Sequence, residues 1–309
     1  MKLISHIRDY LFNPYKRRSY NVSIVRRMGF LGDSLDDRSY LKRLFKLKMG
    51  KRLDLSNPET FNAKLQWLKL YDRNPEYTTI VDKYKVREYI SEKIGEEYLI
   101  PLIGEWDDPD NIDFDSLPNQ FVLKCNHNSG KVYICKNKKD FDISKAKKEL
   151  RKDLTVDYYL PGREWPYKNV PRKVICEEYL GDNPKDYKFF CFNGKVHYVL
   201  VCSDRFNNLK ETFFDRNWNV APFKRPNIEI DNKINKPINF EKMIELSEFL
   251  SKDIPFLRVD FYEVENKIYF GELTFFPASG FSGFEPNEWD YKLGDLIEIP
   301  EIKNIEEGY

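Results

Sequence analysis

Between residues 256 and 280 apolar and polar side chains alternate with the period of two that marks a half-buried strand. The stretch Phe256-Leu257-Arg258-Val259-Asp260-Phe261-Tyr262, and then Phe270-Gly271-Glu272-Leu273-Thr274, predicts two strands of a hairpin turning near Glu265-Asn266. On the first strand Leu257, Val259 and Phe261 point one way, and Arg258, Asp260 and Tyr262 the other. Glu272 and Thr274 share a face of the second strand. If the two polar faces coincide, Arg258, Asp260 and Glu272 come together. Two readings are open: a cation or phosphate held among them, or a solvated face with a surface ion pair.

The same alternation recurs upstream. Phe121–Cys125 and Lys131–Cys135 flank the loop Asn126-His127-Asn128-Ser129-Gly130, and a short strand covers Lys173–Glu177. Tyr187–Phe192 and Lys195–Leu200 flank Asn193-Gly194, the strongest two-residue hairpin signal. Helical spacing replaces it elsewhere: Leu41, Leu44 and Phe45; Phe61–Tyr71 with Phe61, Leu65 and Leu68 on one side; Asp82–Ile94 with Gly95 as its cap; Ile143–Leu154; and Phe240–Leu250. A Pro- and Asp-rich linker runs from Trp106 to Pro118, and an aromatic loop from Tyr158 to Tyr167 carries Arg163, Glu164 and Trp165. This order of elements predicts an α+β protein with largely antiparallel sheets.

Composition narrows the class. A hydrophobic fraction of 41% with a net charge of +1 describes a nearly neutral globular protein, and the 23 Phe and 20 Tyr supply its core. The five cysteines form no C-x-x-C and no zinc-type spacing, which predicts reduced thiols in a cytoplasmic compartment. No apolar run reaches the length of a membrane span. Charge is unevenly spread, with 14 Lys and Arg against 4 acidic residues in positions 1–52. Such a basic, aromatic-containing N-terminus suits peripheral contact with an anionic membrane surface, and so a place at its inner face; the commoner use is a solvated helix face. Nucleic acid is not expected as a partner.

The loop 126–130 lies between two strands and has the place of a phosphate-wrapping turn, with Lys124 beside it as a point charge. It is not a Walker A loop, since Cys125 stands at the first glycine and Val132 at the Ser/Thr position. An ordinary hairpin loop with an exposed lysine fits the same residues. His127 stands even between phosphate contact and a structural role. His197, expected to pair with Phe190 across the Asn193-Gly194 hairpin, reads as structural. The triplets Asp113-Phe114-Asp115 and Asp140-Phe141-Asp142 have the D-x-D form of sugar-nucleotide glycosyltransferases, a form that 50 acidic residues also produce by chance.

Taken together, Phe121-Val122-Leu123-Lys124, the loop ending Ser129-Gly130, Ile175–Leu180, Asp186-Tyr187-Lys188, Arg258-Val259-Asp260 and Glu272-Leu273-Thr274 occur in ATP-grasp order. Adding Phe61–Trp67, Asp82-Lys83, Arg87-Glu88-Tyr89, Asn126-His127 and Arg163-Glu164-Trp165-Pro166, the chain resembles the TupA-like ATP-grasp proteins of bacterial surface-polysaccharide and teichuronopeptide biosynthesis over residues 55–285. The resemblance implies an ATP-grasp fold divided into a helical N-terminal region (1–75), a remnant of the preceding domain with a linker (76–118), a small subdomain (119–176) and a large subdomain (177–309). It implies a ligase that phosphorylates a carboxylate with ATP and lets an amine displace the phosphate, the acceptor being a uronic acid or peptide carboxylate. Glycosyl transfer and a non-catalytic nucleotide- or polysaccharide-binding module are the alternatives.

The same resemblance implies site roles. Lys124, His127, Ser129 and Gly130 would lie at the ATP phosphates, Glu177, Glu178 and Leu180 at the adenine hinge, and Asp186 near the ribose. Lys188 would reach phosphate or the acyl group, Arg258 would steady the acyl phosphate, and Asp260, Glu272 and Thr274 would hold Mg2+. Thr274 replaces the asparagine usual in ATP-grasp sites, and Asn128 replaces a loop glycine.

Overall fold

A computed structural model of the chain describes residues 18, 21–25, 28, 30–129, 131–182, 184–203 and 208–301. Two compact units emerge, one made of Met1–Arg73 with Phe276–Tyr309 and the other of Asn74–Phe275. In the first, helix α1, Asp37–Met49, buries Tyr40, Leu41, Leu44 and Phe45. The Asp36 side chain caps it by accepting from the Ser39 amide, and Gly50 ends it in the left-handed conformation that a side chain disfavours (φ 73°). Helix α2, Phe61–Tyr71, is capped by the Thr60 hydroxyl.

The second unit opens with two short helices, α3 (Glu76–Val81) and α4 (Val86–Lys93). The continuous helix expected over 82–94 is therefore interrupted. Asp82 Oδ1 accepts from the amides of Tyr84 and Lys85, a local turn that competes with the helix, and it also accepts from Asn126 Nδ2 at 2.7 Å.

Strands β1 (Leu102–Trp106), β2 (Phe121–Cys125), β3 (Val132–Cys135) and β4 (Val174–Glu177) form a four-stranded sheet in the order β1-β4-β2-β3. Every pair is antiparallel. Leu123, Cys125 and Cys176 turn toward a core closed by Leu150 of α5, Ile143–Leu154. Lys124 and Glu177 stand on the opposite face. Between α5 and β4 lies the four-residue helix α6, Tyr159–Gly162.

A second, five-stranded sheet holds β5 (Lys185–Phe192), β6 (Lys195–Ser203), β7 (Lys210–Asp215), β8 (Phe256–Val264) and β9 (Lys267–Thr274) in the order β7-β6-β5-β8-β9. Its two tight hairpins turn where expected, at Asn193-Gly194 (φ 47° and 77°) and Glu265-Asn266 (φ 51° and 63°). Helix α7, Phe240–Leu250, covers the sheet, with the Phe240 ring 6.0 Å from Phe189. Two details differ from expectation. Phe190 pairs with Tyr198, because a bulge falls between Phe190 and Cys191; the His197 ring instead stands edge-on to Phe192 at 5.5 Å. Strand β7 has no alternating signature: Phe213 packs on Phe190 while its neighbour Phe214 stacks on Trp218, so both faces are covered.

After Phe275 the chain rejoins the first unit, so the segment expected as 177–309 is divided there. Helix α8, Trp289–Asp295, presents the buried Asp290, whose Oδ1 accepts from both the amide (3.1 Å) and the side-chain nitrogen (2.7 Å) of Asn62. Lys69, fully buried, donates to the carbonyl and hydroxyl of Ser279 and to Gln66. Among the described residues no helix is long and apolar enough to cross a membrane.

Candidate active site

The register of β5, β8 and β9 sets Lys188, Asp260 and Glu272 side by side, with Asp186 opposite Tyr262 and Arg258 opposite Thr274. The polar faces of the two hairpin strands do coincide. Arg258 grips Asp260 through Nε and Nη2 (2.7 Å each) and reaches Glu272 Oε1 with Nη2 at 2.5 Å. Lys188 Nζ lies 2.7 Å from Asp186 Oδ2 and 2.5 Å from Asp260 Oδ2. Thr274 donates its hydroxyl to Glu272 at 3.1 Å. Asp260 is only 1% exposed, which excludes the reading of a solvated surface ion pair.

Across a cleft of about 410 Å³ stands the face of the smaller sheet. Lys124, Ser129, Asp186, Lys188, Arg258, Asp260 and Glu272 all line this cleft, together with Lys83, Lys131 and Tyr262. Lys124 Nζ is 2.6 Å from Glu177 Oε2, whose other oxygen is 3.6 Å from Arg87 Nη1. Four carboxylates thus meet Lys83, Lys124, Lys188, Arg87 and Arg258, and the balance of charge decides protonation. Burial opposes the Glu272 carboxylate, but Lys83, Arg258 and Lys188 outweigh it and hold the group down at about 2. Burial likewise opposes the Lys188 ammonium, and Asp260 and Asp186 carry it above the ordinary lysine value.

The other expected residues fall elsewhere. Leu180 lines a separate cavity of about 540 Å³ with Gly181, Tyr187 and Val264. The Glu178 side chain is exposed, and its amide donates to Pro101 O at 3.1 Å. His127 is buried, its Nε2 3.1 Å from Val156 O, and it does not line the cleft. Gly130 lies outside the described residues. The loop before it is well tied: Asn126 is held by Asp82 and Pro171, and Asn128 O accepts from Lys83 Nζ at 2.6 Å.

Lys83 is the cation that sequence reasoning passed over. It is 3.8 Å from Glu272 Oε2 as well as bonded to the loop, and the only signal for it was the Asp82-Lys83 pair itself. The D-x-D triplets serve local structure: Asp113 accepts from the Asp115 amide and Asp142 caps α5.

Asp260, Glu272 and Thr274 offer hard oxygen donors on adjacent strands, the chemistry that suits Mg2+. Two carboxylates and one hydroxyl leave room for an ion that takes its remaining oxygens from phosphate and water.

Two antiparallel sheets, one on each side of a cleft lined by lysines, arginine and paired carboxylates, define an ATP-grasp fold. The family model described as TupA-like ATPgrasp matches residues 63–298, and the chain belongs to that family. Among solved structures it is similar to D-alanine–D-alanine ligase from Bacillus anthracis complexed with ATP, at 17% identity and TM-score 0.42 over 71% of this chain and 65% of that one. It is similar to D-alanine–D-alanine ligase from Helicobacter pylori at 18% identity and TM-score 0.39, over 77% and 69% of the two chains. For L-amino acid ligase from Bacillus licheniformis the values are 11% and 0.44, over 71% and 49%. The chain thus spans just under two thirds of the first of these ligases and about half of the last. No curated protein matches it.

Proposed function

We propose that the protein is an ATP-dependent carboxylate–amine ligase working through an acyl phosphate, with a uronic acid of a surface polysaccharide or a peptide as the carboxylate. The observation that carries this reading is the run Lys188–Asp260–Arg258–Glu272 on one sheet, facing Lys124 on the other within a single cleft. A phosphoryl group in transfer needs its charge neutralised more than it needs acid–base help, and this cleft concentrates cations held in place by carboxylates.

In this reading Lys124 and Lys188 hold the phosphates, and Ser129 with Gly130 closes the loop beside them. Arg258 stabilises the acyl phosphate and the tetrahedral adduct formed when the amine attacks. The Glu177–Leu180 segment, whose Leu180 lines the separate cavity of about 540 Å³, would hold the adenine edge there, and Asp186 lies toward the ribose. Asp260, Glu272 and Thr274 would hold Mg2+, which would supply positive charge to the phosphates. Arg258 and Lys188, bonded to those carboxylates, are the cations placed to face the substrate. Closure of the two sheets excludes water, which an acyl phosphate requires. Of the basic N-terminal stretch proposed for contact with an anionic membrane surface, residues 1–17 lie outside the described residues.

The test is a screen of amino acids against uronic acids and their nucleotide sugars with ATP and Mg2+, reading ADP and phosphate. Release that depends on both substrates supports the ligase. Release of UDP from a sugar nucleotide without ATP consumption overturns it.

A further inference from the structure

Arg87 has no part in the roles above, yet the structure joins it to the cleft through one carboxylate. Val122 pairs with Glu177 and Lys124 with Ile175, so Lys124 and Glu177 project from the same face of the smaller sheet. Glu177 is 6% exposed and lies between two cations. Lys124 Nζ is 2.6 Å from its Oε2, and Arg87 Nη1 is 3.6 Å from its Oε1. Of the three residues only Lys124 lines the cleft.

The segment that carries Arg87 is clamped to the loop that follows Lys124. Asp82 Oδ1 accepts from Asn126 Nδ2 as well as from the amides of Tyr84 and Lys85, and the Lys83 amide donates to Asn126 O at 3.1 Å. The Asn126 amide in turn donates to Lys173 O at 3.0 Å, just before β4. The turn that interrupts the helix therefore also fixes the start of α4, and with it Arg87, against the strands that bear Lys124 and Glu177.

This arrangement answers a problem of charge. A lysine is a point charge on a long flexible stem, with little orientation of its own. Paired with Glu177 alone, Lys124 would be held in place, but the pair would be neutral and would attract phosphate weakly. Arg87 on the far oxygen of the same carboxylate leaves the three groups with a net positive charge, and the ammonium that faces the cleft is still tethered.

We propose that Glu177 and Arg87 are positioning residues for Lys124. Glu177 aims the ammonium at the phosphates, and Arg87 offsets the Glu177 charge so that the group as a whole attracts them. The assignment rests on the nucleotide site of the ligase reading. It gives the Glu177 side chain a task apart from the adenine edge, which the backbone of the hinge would hold.

Nucleotide affinity tests this without knowledge of the carboxylate or the amine. Calorimetry with Mg2+ and a non-hydrolysable ATP analogue is run on wild type, Lys124→Gln, Glu177→Gln, Arg87→Met and Arg87→Lys, and on Lys124→Gln combined with Glu177→Gln or Arg87→Met. Lys124→Gln and Arg87→Met are each expected to weaken the analogue at least fivefold, with Arg87→Lys within twofold of wild type. Glu177→Gln should weaken it at least threefold; charge alone would tighten it, so weakening marks lost positioning. In the Lys124→Gln background Glu177→Gln and Arg87→Met should each change affinity less than twofold, because residues that act through one lysine are not additive. Full affinity in Lys124→Gln, Glu177→Gln or Arg87→Met overturns the assignment. An undiminished further loss in the Lys124→Gln background, or no recovery in Arg87→Lys, overturns it as well. If circular dichroism shows Arg87→Met unfolded, the Glu177→Gln cycle decides alone. Absence of analogue binding by the wild type would instead overturn the ligase reading itself.

Discussion

At Asp260 two cations converge on one buried carboxylate, Arg258 with two bonds of 2.7 Å and Lys188 with one of 2.5 Å. Removing one partner of such a group leaves uncompensated charge, so substitutions here read on both binding and folding. Asp260→Asn and Glu272→Gln keep the shape and remove the charge. Each is expected to lower ATP turnover by at least about a hundredfold while leaving the circular dichroism spectrum unchanged; turnover near wild type in either would remove the metal assignment. His127 makes a different prediction. Burial holds its pKa below the ordinary 6.5, and the Val156 carbonyl only partly offsets that. Below 6.5 the unfolded chain therefore binds protons that the folded chain refuses, and stability falls as pH drops from 7.5 toward 5.5. His197 is lowered by burial in the same way and adds to the slope. The loss is bounded at about 1.4 kcal/mol per pH unit for each histidine. Urea unfolding of wild type and His127→Asn across that range should show a shallower slope in the variant.

The β8–β9 hairpin illustrates how an element delivers a site. Alternation sets which residues share a face, and the Glu265-Asn266 turn sets the register, so Asp260 meets Glu272. A bulge between Asp260 and Phe261 then places Gly271 where an added Cβ would lie 3.0 Å from Asp260 O and 3.2 Å from the Tyr262 ring. The nearer contact is the backbone of Asp260 itself, with its Cβ at 3.4 Å, so relief at this point displaces the carboxylate. Gly271→Val is therefore expected to cost about 1–3 kcal/mol and to reduce turnover more than that loss explains, measured by denaturant midpoint and ADP release side by side. This glycine was invisible as a requirement in the sequence, because a bulge depends on the partner strand. The helix break at 82–85 was hidden for a similar reason: the spacing of Asp82–Ile94 suits a helix, and the competing bond to Asn126 is 44 residues away.

For the whole molecule, the candidate site lies wholly in the unit Asn74–Phe275, while the other unit packs helix Phe61–Tyr71 against the segment around Ser279 and Asp290. Asp290 is the polar centre of that packing. Asp290→Ala would leave the Asn62 amide and side chain without their buried acceptor, and is expected to lower the unfolding free energy by about 1–3 kcal/mol, read from the denaturant midpoint. The sequence alone determined the antiparallel strands, both tight hairpins, helices 61–71, 143–154 and 240–250, and the shared polar face of Arg258, Asp260 and Glu272. Those are local properties, carried by side-chain period and by turns that only certain residues adopt. Tertiary structure decided what depends on distant partners. It buried Asp260 and so excluded a solvated ion pair, brought Lys83 and Lys124 to the cleft, turned His127 away from it, and sent 276–301 back to the N-terminal helices. Burial and net charge at a point are sums over everything nearby in space, and no window of sequence contains them.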